Sequence, residues 1–250
     1  MAPKIKVLAF GAALLLAACG HAPVATGTND PNEAVNRVWF QRNLALAGVV
    51  SRADSAPADP ASEVPAAAPR RHPFRHALGN FGANLGLPGV ILNDLLQLRP
   101  DHATENTVRL LLNTTVGLGG LFDPASRLGV HGRSSDFGET LHRWGAPEGA
   151  YVVLPAFGPS TGRDALGLVV DMALDPMRLV LPSAGDYNLS VAARLAGRFA
   201  NAAEYSDLLD ANVINTADPY AQARLLYLQT RRYHLGIQAE DEIIDPYADF

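Results

Sequence analysis

The pentapeptide Gly158-Pro159-Ser160-Thr161-Gly162 fits G-x-S-x-G, the spacing that lifts a serine hydroxyl onto the strand-to-helix elbow of α/β-hydrolases. A nucleophile there needs an acid and then a histidine, and Asp171, Asp175 or Asp186 followed by His234 supply that order. Three features oppose the assignment. The upstream sequence is patterned as helices, not as the βα units that such a sheet requires. Pro159 locks its own φ and restricts Gly158, in a turn that must be strained in one particular way. His234 lies in a helical segment. The simpler expectation is that Ser160 or Thr161 caps a helix after a Gly-Pro turn, which leaves a serine hydrolase acting on lipids as the weakest alternative.

Other chemical signals are thinner. His72 and His76 are four apart, but Pro73 intervenes and no third ligand is near, so no metal site is expected. Gly117, Gly119 and Gly120 run into Phe122-Asp123-Pro124 with no Lys-Ser or Lys-Thr, which suits the end of a helix better than a phosphate cradle. No catalytic residue and no cofactor is assigned. Arg70, Arg71, His72, Arg75 and His76 form a basic cluster, equally suited to a solvated flank and to anionic headgroups, where each cation contributes about 1 kcal/mol. Arg109, Arg127, Arg133, Arg143, Arg163, Arg194 and Arg198 are scattered among apolar helices. A guanidinium donates in pairs to phosphate. Arg109, and Arg163 beside Asp164, are therefore candidates for a polar path.

Cys19 is the only cysteine of the 250 residues, so no disulfide can form within the chain. Lys4 and Lys6 precede an apolar run over residues 7–18, and small residues precede the cysteine. That order is a secretory leader, and the run is too short for a spanning helix of roughly 20 residues. Residues 1–18 are expected to be a lipoprotein signal peptide, Cys19 the acylated anchor, and residues 19–29 a tether. Gly20, where an aspartate would retain the protein in the inner membrane, favours the outer one. Loss of Lys4 and Lys6 with the leader takes the net charge from −5 to −7. A general nucleic-acid binder would carry a basic face instead.

The elements that must position these residues are helices. Asp30-Pro31 opens the first, with Ala34, Val35, Val38 and Trp39 at helical spacing. Residues 51–73 are rich in Ala, Pro and Ser and predict a loop. A short helix over 76–85 is expected to stop at Gly86, and Pro88 to open another through Gln97. Asp101 is expected to cap a helix to about Val116. Asp136 with Glu139 three later resembles a capping box. Residues 151–157 are the one stretch expected to be extended, and Thr161 with Asp164 opens the next helix. Two long helices close the domain, the first with Val191, Leu195, Phe199 and Ala202 on one face, the second from Asp218-Pro219 to Gly236. The class is all-α, a single domain of many short helices over residues 30–236, followed by an acidic tail over 237–250 that is expected to be disordered. The apolar faces are wide (VILNDLL, VRLLLN, LGLVVDMAL) and the mean hydropathy is +0.05, which suits a protein at a lipid interface.

Several strings together resemble the MlaA (VacJ) family of phospholipid-transport lipoproteins. They are DPNEAVNR from Asp30 with Phe40 and Asn43, then Asn80-Phe81 with Asn84-Leu85, Pro88 and Gln97. RLLLNTTVGLGGLFD from Arg109, Asp136-Phe137-Gly138 through Trp144-Gly145, and Leu154-Pro155 with residues 158–164 continue the series, and Asp218-Pro219-Tyr220 with Arg224, Tyr227 and Arg231-Arg232 closes it. Residues 44–79 depart from the family pattern. The resemblance implies a ring-like, membrane-embedded helical body with an amphipathic channel, lipid-anchored at the outer membrane and facing the periplasm. It would remove phospholipids misplaced in the outer leaflet and so keep the membrane asymmetric. The partners it implies are phospholipid, trimeric porins and a soluble periplasmic lipid carrier. Arg109, Arg163, Asp164 and Asp136 are then the candidates for the polar wall of that channel. The alternative of another class is a structural envelope lipoprotein that moves no lipid.

Overall fold

In the computed structural model, residues 29–52, 73–204 and 213–236 are described. Cys19, the leader and tether, most of the expected 51–73 loop and the acidic tail lie outside them.

Nine helices and one hairpin make up the described residues: α1 (Glu33–Arg52), α2 (Pro73–Leu96), α3 (Pro100–Thr115), α4 (Pro124–Arg127), α5 (Phe137–Arg143), β1 (Tyr151–Leu154), β2 (Gly158–Thr161), α6 (Gly162–Leu174), α7 (Met177–Val180), α8 (Ala184–Glu204) and α9 (Pro219–His234). The body is mostly helical, as the periodicity predicts. Among the described residues no helix is long and apolar enough to cross a membrane.

Where a cap was expected from a polar side chain, it forms in three places. Asp136 accepts from Glu139 N, Thr161 from Asp164 N, and Asp218 from Tyr220 N and Ala221 N, which satisfies donors that a helix start leaves free. Asp101 does not cap. Helix α3 begins one residue earlier, at Pro100, because proline suits the first helical position and has no N–H to satisfy. The expected break at Gly86 and Pro88 is also corrected: α2 runs unbroken through both. Proline inside a helix removes one backbone bond. Here α8 and α3 pack along α2, and that tertiary contact outweighs the local preference. Ser51 and Arg52 end α1 and Pro73 begins α2, so the ends of the expected loop are helical.

The extended stretch is the first half of an antiparallel hairpin. Tyr151 pairs with Thr161 and Leu154 with Gly158, so the Gly-Pro-Ser-Thr segment is strand rather than turn. Ala156 (φ 63°) and Gly158 (φ 84°) make the tight reversal. Helix α1 completes the sheet without being a strand. Asn36 donates to Tyr151 O and accepts from Val153 N, and Asn43, two turns on, does the same for Leu154 O and Ala156 N. Two amides seven residues apart thus satisfy the free edge of β1. Around them Phe40, Tyr151, Val153, Val213, Tyr220 and Leu228 form a small core that joins α1, the hairpin and α9.

The rest of the body is built the other way round. Among the described residues, fifteen polar or charged side chains are buried against fourteen apolar ones, and only one of the latter is a leucine. Large apolar side chains face outward instead, among them Leu98, Leu111, Leu118, Phe122, Leu179 and Leu189. Leu98 (φ 56°) and Leu118 (φ 52°) hold a left-handed backbone conformation that costs a non-glycine residue energy, at positions that turn the side chain out. A body with a polar interior and leucines outside is the arrangement expected in apolar surroundings.

Candidate functional site

Between α2, α6, α8 and the segment 131–136 lies a cavity of about 420 Å³. Its origin is legible residue by residue. Gly82, Gly86 and Gly89 recur at i, i+4 and i+7 along α2, so this helix gives the cavity backbone where side chains would otherwise stand. At Gly82 the space is taken by α8, since an added Cβ would lie 3.0 Å from Ala193 O and 3.2 Å from Gly197 Cα. At Gly89 nothing lies within 4 Å. Leu87, Val90, Leu168, Met172, Val191 and Leu195 give the lining an apolar portion.

The remaining lining is charged. Arg194 is neutralised by an ion pair with Asp175. Arg198, one turn further along α8, is different. Among the described residues no carboxylate lies within ion-pair distance of it, and its closest assigned partner is the Phe157 ring at 5.9 Å. Burial, and then the like charge of Arg194, pull its pKa down. Asp171 on α6 is held by Asn93 Nδ2 (2.7 Å) and Phe137 N (3.0 Å), and burial pushes its pKa up. Arg133 is exposed on the opposite wall segment.

Of the four candidates from sequence, Arg109 and Asp136 reach the cavity lining, and Arg163 and Asp164 do not. Arg109 is fully employed there. It donates to Val130 O (2.6 Å), Ser126 Oγ (2.9 Å) and Asp123 Oδ2 (3.1 Å), pinning the loop before the wall segment. Asp136, Asp164 and Arg163 are brought together by a residue that sequence placed only in the closing helix. Arg231 grips both oxygens of Asp136 (2.6 and 2.8 Å) and both of Asp164 (2.9 and 3.0 Å). Arg163 Nε joins Asp164 at 3.1 Å, and Tyr227 donates to it at 2.8 Å. Burial alone would raise the Asp164 pKa, but the Arg231 bonds and charge hold it below the usual carboxylate range. Gly138 passes over this network so closely that a Cβ would sit 2.5 Å from Asp164 Oδ1.

Sequence reasoning missed Arg198 and Arg231 as individuals. Arg198 carries a usable signal, because Arg194 and Arg198 are four apart and flank Leu195 on one face. Arg231 carries none, since its partners are 67 and 95 residues away. Ser160 is buried in β2 and its hydroxyl bonds to the Thr161 carbonyl, so it is not raised on an elbow. Among the described residues no group of three or more metal-ligating side chains forms.

The fold and cavity define a helical body with apolar outer faces and a charged, solvent-reaching interior. The family model for MlaA lipoprotein matches residues 28–234, and the chain belongs to that family. It is 31% identical over 238 residues to the intermembrane phospholipid transport system lipoprotein MlaA of Shigella flexneri, covering 90% of this chain and 86% of that one. An uncharacterized protein of Rickettsia bellii is 34% identical over 157 residues, and the match spans 59% of its length. A solved structure described as "Structural basis for maintenance of bacterial outer membrane lipid asymmetry" superposes with a TM-score of 0.61 at 28% identity, over 82% of this chain and 98% of the other.

Proposed function

We propose that this protein is an outer-membrane lipoprotein that takes phospholipid from the outer leaflet and passes it to a periplasmic carrier. The observation that carries the proposal is the inverted body: leucines outside, and inside a cavity whose wall is part apolar and part cationic. Phospholipid has the same two natures. A cavity of about 420 Å³ sits at the lower end of small-ligand pockets, which suits a headgroup and not a whole two-tailed lipid. The acyl chains would lie along the outward leucines, and the phosphate would meet Arg198, a cation with no carboxylate at ion-pair distance among the described residues. Arg109 and Asp136 shape the polar wall, while Arg163 and Asp164 brace it from behind through Arg231.

The names borne by relatives support this reading, as does the likeness to a structure concerned with lipid asymmetry. Trimeric porins and a soluble carrier are the partners that the family resemblance suggests. Cys19 is the proposed acyl anchor. Asn29, whose carbonyl accepts from Tyr151 N, is ten steps along the chain from it, so the tether reaches at most ~35 Å from the body at about 3.3–3.6 Å per residue.

The experiment is to delete the gene, complement with wild type or Gly89→Trp, and label phospholipid exposed at the cell surface. Deletion is expected to raise the label, wild type to reverse it, and the plugged variant to leave it raised. Unchanged labelling on deletion would overturn the transport reading.

A further inference from the structure

Asp94, in the last turn of α2, is fully buried, and Gln97, the residue that follows the helix, nearly so. Each has one acceptor oxygen, Asp94 Oδ1 and Gln97 Oε1, with no hydrogen-bond partner. A buried orphan acceptor is costly, and these two are three residues apart; Gln97 N still bonds to Asn93 O at 2.9 Å, so the chain keeps its helical course and the two side chains lie on one side of it. Their other atoms are well satisfied. Asp94 Oδ2 accepts from Asn106 Nδ2 at 2.8 Å, and Gln97 Nε2 donates to Ser135 Oγ (2.8 Å) and Thr140 Oγ1 (3.0 Å). Ser135 lies beside both side chains, so both heads point to one place.

We propose that Asp94 is a neutral carboxylic acid in the folded protein and donates its O–H to Gln97 Oε1, forming a proton-held latch on the cavity wall. One proton removes both orphans. An ionised Asp94 would leave the Gln97 oxygen an orphan, and would be an anion in a dry site whose hydrogen-bond donors, the Asn106 amide and the Ser135 hydroxyl, are both neutral.

The charged groups around it agree. Arg99, at the start of α3, gives its guanidinium to Glu139 of α5 at 2.6 Å. His102 of α3 lies near Asp94 and also 3.6 Å from Asp101. Asp171 of α6 is reached through Thr140 and Asn93. Burial is the dominant influence on the Asp94 carboxyl and pushes its pKa up, against Asn106, His102, the Ser135 hydroxyl and Arg99.

The latch acts on the wall because both residues are one bond from it. Asn106, which holds Asp94, also donates to Arg133 O (3.0 Å), and Gln97 holds Ser135. Loss of the proton leaves a buried anion and an orphan amide oxygen beneath residues 131–136, which line the cavity. The wall therefore loosens as pH rises through the Asp94 titration.

The test is infrared spectroscopy of the full mature chain at pH 6, about two units above a free aspartic acid, where an ionised Asp94 gives no protonated-carboxyl band. Wild type minus Asp94→Asn is expected to show that band. Asp94→Asn supplies an N–H where the acid has its O–H, so it should melt with wild type at pH 6. Its amide exchange over residues 130–136 should stay constant to pH 9, after correction for intrinsic rates, while wild type loses at least tenfold protection. No band at pH 6, or equal exchange in both proteins across the range, overturns the latch. Should Asp94→Asn not fold, the band is sought in Asp171→Asn protein carrying carboxyl-13C aspartate, and its absence there decides the matter equally.

Discussion

Gly82 of α2 and Gly197 of α8 meet backbone to backbone: a Cβ built on either would lie 3.2 Å from the Cα of the other. The Gly197 Cβ would also come within 2.9 Å of Leu78 O. The atoms in the way are main chain, so the two helices would have to separate. Gly82→Val is expected to destabilise the fold by about 1–3 kcal/mol or more, as overpacking does. In a chain of this size that lowers the melting temperature by several degrees, since each kcal/mol shifts it ~2–4 °C. Circular dichroism melts of the variant check this, and an unchanged melt would show that the two helices can separate at little cost.

Seven residues along the same helix the expectation reverses. Gly89 faces open cavity, with nothing within 4 Å of an added Cβ. Gly89→Leu removes a helix-interior glycine, worth roughly 0.5–1 kcal/mol in propensity, and fills space that no other group occupies. The variant should melt at or above wild type and retain less phospholipid on purification from membranes, measured by lipid mass spectrometry. Gly89→Leu that keeps its full lipid content would place the lipid elsewhere.

Arg198 separates charge from bulk. Arg198→Gln keeps a polar side chain with an N–H donor but shortens it and removes the cation, and it is expected to lower the affinity for a short-chain anionic phospholipid by about tenfold or more, in line with a charge-assisted bond. Arg198→Lys keeps the charge and loses the planar fork, and should fall between. Titration calorimetry with the three proteins ranks them. Equal affinity across the series would remove Arg198 from the phosphate site.

How far the sequence alone could reach is clear from these positions. The caps at Asp136, Thr161 and Asp218 were legible because a cap is written within three residues. The unbroken passage of α2 through Gly86 and Pro88 was not, since the helices that hold it lie elsewhere in the chain. The second strand was hidden because Gly158-Pro159 carries a turn signal, and the sheet it joins is completed on the far edge of β1 by Asn36 and Asn43, over a hundred residues away. In the candidate site, Arg109 could be named from charge among apolar residues and Asp136 from the family resemblance, but that Arg198 is left, among the described residues, with no carboxylate at ion-pair distance is set by the packing of α8 against α2. That is a property of three dimensions, and it is why Arg198 stood unremarked in a list of seven.

Arg231 is the partner without which two carboxylates fail together. Asp164 is nearly buried, and removing Arg231 leaves its charge to Arg163 and Tyr227 alone, a loss toward the roughly 3–5 kcal/mol typical of breaking a buried pair. Arg231→Gln is expected to lower the urea midpoint sharply, and Asp164→Asn in the same chain to restore part of the loss, because the orphaned charge is then gone. A double-mutant cycle measures this, and strict additivity of the two changes would deny the coupling.

The pH dependence of stability follows from carboxylates shifted in opposite directions. The Asp164 pKa is depressed in the folded protein, by Arg231 against the opposing effect of burial, and that of Asp123 by its bonds to Ser126 and Arg109, again against burial. Their contribution is present above the unfolded value of about 3.9 and is lost as pH falls through the folded values. Burial raises Asp171 and Glu139, the latter partly offset by Arg99, so their contribution has the opposite sign: full below the unfolded carboxyl value and lost as pH rises through the folded ones. Stability should therefore peak in the mildly acidic range and fall on both sides. Asp171→Asn, whose amide can still accept from Phe137 N, is expected to flatten the fall on the alkaline side and leave the acid limb as it is. Urea midpoints from pH 3 to pH 9 give both limbs, and an alkaline limb equally steep in the variant would mean that Asp171 is ionised throughout.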